Sequence, residues 1–126
     1  MMSEKLDQFA RDLLEKTRAN KLDWRIMANP MGREEFSVDL EKEYRFHIWL
    51  VVSGENRAIT LQLWKDQRPV LESVANNWPG ISNGEIVQER VKRFRAYSDL
   101  FDAVRESVYG GEETMGEVEQ LLRRIG

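Results

Sequence analysis

A single histidine, His47, sits inside the run "YRFHIWLVV" (44 to 52), two residues before Trp49. Imidazole is the side chain best suited to move a proton near neutral pH. As a general base it needs a reacting group within hydrogen-bond reach and a partner that orients the ring. Asp39 and Glu35 are the acids that a neighbouring strand can bring to it. The other acids of this region, Glu34, Glu41 and Glu43, read with Asp39 and Glu35 as exposed strand and loop positions that keep the sheet edge soluble. His47 itself reads as a polar residue on the outer side of a sheet. With one histidine and no cysteine, a disulfide, a thiolate nucleophile, a cysteine zinc site and a histidine-rich metal centre within one chain are all excluded. Neither glycine-rich phosphate motif occurs, nor EF-hand spacing, nor G-x-S-x-G. No catalytic residue, metal or cofactor is therefore assigned.

Two other groups of residues carry chemistry. "RVKRFRAY" concentrates Arg90, Lys92, Arg93 and Arg95, with Phe94 and Tyr97 between them, a composition that could meet a polyanion. Helical geometry spreads these charges over more than one face. The net charge of −3 argues against a chain held to nucleic acid by bulk charge. The second group is the outer face of the sheet, where Arg45, His47, Trp49, Val51 and Trp64 fall together. Outward tryptophans are costly to leave wet, since each can bury on the order of 150–250 Å². Either the loop "ANNWPGISNG" (75 to 84), with its own Trp78, covers them, or a second chain does. On the derived register Arg45 lies opposite Trp64, which places a cation–π contact between them.

The elements that must position these residues follow from periodicity. Leu6, Phe9, Ala10, Leu13, Leu14 and Thr17 form one stripe of a helix over about 4 to 19. The period then changes to two: Leu22, Trp24 and Ile26; Phe36, Val38 and Leu40; Tyr44, Phe46, Ile48, Leu50 and Val52; Ile59, Leu61 and Leu63. Each strand has one apolar face, as in an antiparallel sheet covered on one side. "SGEN" (53 to 56) puts Gly54 at the first central position of a two-residue turn, which pairs Leu50 with Ile59 and Ile48 with Leu61. An odd loop over Glu41 to Glu43 sets Val38 opposite Phe46 and Asp39 opposite Arg45. "VLESV" (70 to 74) reads as a fifth, edge strand with Pro69 at its start. A long helix over 85 to 109 ends at the glycines 110 and 111. "TMGE" reads as a capping box, Thr114 with Glu117, opening a short helix whose Met115, Val118, Leu121, Leu122 and Ile125 face inward.

"FARDLLEKTRANKLDW" (9 to 24) resembles a recurrent bacterial pattern: an amphipathic helix ending in Leu-Leu-x-x-Thr, a short gap, then Leu-x-Trp opening a β-meander. The matching residues are Phe9, Leu13, Leu14, Thr17, Leu22 and Trp24, with "YSDLFDAV" (97 to 104) as a later match. The glycine of the gap is replaced here by "RANK". The resemblance implies the order helix, meander, helix and a bacterial origin. In being small, acidic and αβ, the chain also resembles type III secretion chaperones, which implies a dimer.

The sequence thus predicts one α+β domain over 1 to 126: an N-terminal helix, a four- to five-stranded antiparallel meander, a long helix and a short C-terminal helix, with the helices on one face. No apolar run reaches the roughly 18 residues of a membrane helix, and "MMSEKLDQF" has no apolar signal core, which predicts a cytoplasmic protein. The expected function is non-catalytic protein interaction, with a partner or a second copy, through Trp49, Trp64, Arg45, His47 and Val51. Alternatives are a small ligand-binding protein or enzyme with its site at His47, and polyanion binding through Arg90 to Arg95.

Overall fold

The computed structural model describes residues 2–27, 33–77 and 84–125. Its elements run α1 (Met2–Arg18), β1 (Arg25–Ile26), β2 (Glu34–Leu40), β3 (Tyr44–Ser53), β4 (Asn56–Lys65), β5 (Arg68–Asn76), α2 (Gly84–Tyr109) and α3 (Gly111–Ile125). The five strands form one antiparallel sheet in the order β1-β2-β3-β4-β5, a meander. The architecture is α+β, as the alternation of periods predicts.

The register rests on turn chemistry. Gly54 has a φ of 62°, and it is the first of the two residues joining β3 to β4. That positive φ suits a glycine because no Cβ crowds the backbone. Ser53 then pairs with Asn56, Leu50 with Ile59 and Ile48 with Leu61, while Val38 faces Phe46 and Asp39 faces Arg45. Between β4 and β5, Asp66 and Gln67 both take positive φ, 52° and 67°. A register shift follows, so that Trp64 faces Pro69 and Leu63 faces Leu71. The fifth strand is longer than the sequence predicts because this bulge accommodates Pro69 at the edge and lets pairing continue to Asn76.

On the inner face, Phe36, Val38, Phe46, Ile48, Ile59, Leu61 and Ala75 meet Leu6, Ala10 and Leu13 of α1 and Tyr97, Leu100, Phe101 and Val104 of α2 in one core. Edge-to-face ring contacts join Phe9 to Phe46 and Phe36 to Phe101, both at 5.7 Å between centroids. The first turn of chain after α1 explains the Thr…Trp spacing noted above. Trp24 Nε1 donates to Thr17 Oγ1 at 2.9 Å, and Thr17 Oγ1 donates to the Leu13 carbonyl at 2.6 Å. Asn20 takes a φ of 56°, the left-handed conformation in which a helix often ends. The Lys21 amide reaches back to the Lys16 carbonyl at 3.0 Å and closes the helix.

Two expectations about the ends of elements are corrected. The strand expected from Leu22 shrinks to the two residues of β1, since Leu22 and Trp24 pack toward α1 and the core before strand pairing begins. α3 already runs from Gly111, so Thr114 lies inside a helix and does not cap one. Its apolar residues do not face inward either. Met115, Val118, Leu121, Leu122 and Ile125 are all exposed, Leu122 by 63% and Ile125 by 81%. The buried part of the inner face is packed by α1 and α2, and α3 takes no part in that core.

One core polar group links α1 to α2. The Tyr97 hydroxyl, on a fully buried residue, donates to Asp7 Oδ1 at 2.9 Å, and Arg93 donates twice to Asp7 Oδ2, at 3.1 and 3.0 Å. Burial, reinforced by the Asp7 carboxylate, pushes the Tyr97 phenol above its ordinary value near 10. A raised folded-state value means that the unfolded phenol ionises first. Stability from this group is complete below pH of about 10 and falls as the pH climbs beyond it. Urea unfolding between pH 8 and 11 should therefore show an alkaline loss of stability that is shallower in Tyr97→Phe; an identical slope in the variant would refute this assignment.

Candidate functional site

The sheet is buried on both sides at its centre. Four consecutive residues of β2, Glu35 to Val38, and four of β3, Phe46 to Trp49, are all buried. An antiparallel sheet covered on one side would alternate, so the expectation of a one-sided sheet is corrected here. Trp49 retains 8% of its surface and His47 5%. Part of the cover comes from Arg33, whose guanidinium lies over the Trp49 ring at 4.2 Å from its centroid. Of the loop expected as cover, 75 to 84, Ala75 and Asn76 belong to β5 and Gly84 opens α2, while 78 to 83, with Trp78, lie outside the described residues.

The buried outer face holds a polar network. The Glu35 carboxylate binds Arg33 through Oε1, at 2.9 Å to Nη2 and 3.0 Å to Nε, and His47 Nδ1 through Oε2 at 3.0 Å. Glu35 is therefore no exposed edge residue; the pleat puts it on the outer face, where Arg33 and His47 hold it. Glu34, on the opposite parity, pairs with Arg105 of α2. The His47 ring stacks on Trp64, 4.8 Å between centroids and 28° between planes. Trp64 Nε1 donates to Gln62 Oε1 at 2.9 Å, and Gln62 Nε2 donates to Glu72 Oε1 at 2.6 Å. A chain of contacts thus runs from Arg33 across β2, β3 and β4 to β5. Nε2 of His47 is buried and finds no hydrogen-bond partner among the described residues. With Nδ1–H directed at Glu35, neutral imidazole would present Nε2 as a hydrogen-bond acceptor.

The register brings together all five residues expected on this face: Arg45 opposite Trp64, His47 opposite Gln62, Trp49 opposite Thr60 and Val51 opposite Ala58. Their environments differ from expectation. Arg45 makes no cation–π contact with Trp64; its Nε donates to Asp39 Oδ1 at 2.7 Å, a nearer and charged acceptor. The cation on a tryptophan is Arg33, on Trp49. It shares the parity of Glu35, and extending the period of β2 back by one residue would have placed it on this face. Val51 remains exposed, as does Arg45, and Trp64 is half-buried.

Of the basic group on α2, Arg93 is engaged with Asp7. Lys92 and Arg95 are exposed, and Arg90 is half-buried beside Val74 and Asn76. No group of three or more metal-ligating side chains occurs among the described residues. An apolar groove of about 520 Å³ opens along α1, lined by Phe9, Leu13, Leu22, Leu40, Phe46 and Leu63. Among the described residues, no helix is long and apolar enough to cross a membrane.

α3 carries a second open apolar feature. Among the described residues it makes no extensive contact with any other element. Its apolar positions recur at 115, 118, 122 and 125, with Leu121 adjoining, a single stripe along one side. Compared with known proteins, the chain matches no family model, no curated protein and no solved structure.

Removing Glu35 would leave Arg33 and a buried His47 facing each other without their shared carboxylate. Glu35→Ala should cost about 3 kcal/mol in urea unfolding, the scale for breaking a buried pair from one side. A loss below about 1 kcal/mol, the scale of an exposed ion pair, would show that the network does not hold the outer face.

Proposed function

We propose that the protein is a non-catalytic protein-interaction module and that α3 is its principal docking element. The observation that supports this most directly is the open stripe of Met115, Val118, Leu121, Leu122 and Ile125. A helix of 15 residues with a glycine at 116 is at the length where propensity alone barely sustains helix in water, so its stability must come from packing. An apolar stripe with charged flanks is also the form in which helices enter partner surfaces. The outer sheet face contributes less to such a role than the sequence suggests, since Trp49 and His47 are buried within the chain. Arg45, Val51 and the half-buried Trp64 are what that face still offers.

A second reading, binding of a small ligand at His47, draws on a specific feature: a buried Nε2 with no partner among the described residues, on a ring oriented by Glu35. A small donor at Nε2 would raise the thermal midpoint of the wild type and leave that of His47→Gln unchanged. If no amide or hydroxyl compound in a screen has that signature, this second reading fails.

The leading proposal is checked by affinity capture with the wild type and with Leu121→Glu/Leu122→Glu, both confirmed folded by circular dichroism. Binding, to another protein or to a second copy, that the double variant loses is the expected result. Equal binding by the two proteins, or none by either, would reject it.

A further inference from the structure

We infer that α3 docks on α3 of a second copy of this chain, the two helices lying antiparallel to form a symmetric dimer. The inference rests on α3 being the docking element and adds its occupant. Charge is distributed around and along the helix in a way that selects this pairing. At 3.6 residues per turn, Met115, Val118, Leu121, Leu122 and Ile125 lie on one side. Glu119 and Arg123 border that stripe on one flank, and Glu117 and Arg124 on the other. On each flank the acid comes first and the arginine one turn or more later.

Such a helix is complementary to itself in one orientation only. When two copies pack antiparallel with Val118 of each opposite Leu122 of the other, Met115 meets Ile125, and like flanks face each other. Glu119 then falls opposite Arg123 and Glu117 opposite Arg124, each pair occurring twice. A parallel pair would set opposite flanks together at equal height. Glu119 would meet Glu117 and Arg123 would meet Arg124, so all flanking contacts would be repulsive. The contact is isologous, the same patch serving both copies, as two-fold symmetry requires. The antiparallel arrangement also places the two α2–α3 junctions at opposite ends of the helix pair.

The size of the patch is compatible with a specific contact. The exposed stripe is on the order of 500 Å², large for a surface with no partner. Two such faces bury about 1,000 Å², the lower end for a specific interface. A reversible monomer–dimer equilibrium is the expected consequence.

The test combines mass with charge reversal. Sedimentation equilibrium of the wild type should show a monomer–dimer equilibrium. Leu122→Glu should be monomeric at every concentration. Glu117→Arg/Glu119→Arg and Arg123→Glu/Arg124→Glu should each be monomeric alone and should form a one-to-one dimer when mixed. The chain has no cysteine, so single thiols report orientation. Mixed V118C and L122C should oxidise mainly to the crossed disulfide, whereas parallel helices would give V118C joined to itself. A monomeric wild type across the series overturns the inference, as does a dimer that survives Leu122→Glu or gives the V118C homodisulfide. If the wild type is monomeric yet Leu121→Glu/Leu122→Glu still loses a different protein in capture, the second copy is the wrong occupant and α3 remains the docking element. If both fail, α3 is not a docking element at all.

Discussion

The two-residue turn at Gly54 and Glu55 holds β3 against β4 in a single register, and the alternation of side chains that follows divides the sheet into two faces. The packing of α1 and α2 and the polar network of the outer face both answer that division. Phe46, Ile48 and Leu50 fall on one side with Ile59, Leu61 and Leu63, and they require an apolar cover, which α1 and α2 supply. His47 and Trp49 fall on the other side with Thr60 and Gln62, and there the chain needs polar satisfaction as well as cover. A slip of one residue would put histidine and tryptophan into the core and isoleucine into the polar network.

The outer face is where the fold takes on cost. Burying a carboxylate, an imidazole and part of a guanidinium removes them from water, and mutual pairing must offset the loss. Glu35 does this by holding Arg33 with one oxygen and His47 with the other. Arg33 in turn closes over Trp49, and His47 stacks on Trp64, so each polar contact also orders an aromatic ring. A network of this kind favours one arrangement of β2 on β3 over its neighbours, because any slip strands a charge. In the core, Asp7 has the same role between the helices, joining Tyr97 and Arg93 of α2 to α1.

α3 stands apart from both arrangements. The core does not include it, and its apolar stripe remains exposed. Separation of the core from an amphipathic helix is physically intelligible when the helix serves a contact outside the chain. The order of its charges then acts as an instruction about the orientation of that contact, since acid and base are segregated along the axis on both flanks.

The sequence by itself determined the elements whose cause is local. The helical stripe from Leu6 to Thr17, the period-two strands, the Gly54 turn and the register parity of His47, Trp49 and Trp64 all depend on neighbours within a few residues or on one turn. The burial of His47 and Glu35 was not legible, because alternation says which face a residue joins and is silent on whether that face is covered. Arg33 was missed for the same reason: its role exists only once β2 and β3 bring it above Trp49, sixteen positions away along the chain. The amphipathic pattern of residues 115 to 125 was legible as well, but its direction was not. An apolar stripe demands a partner without naming one, and only the tertiary structure shows that α1 and α2, not α3, pack the buried part of the inner face of the sheet.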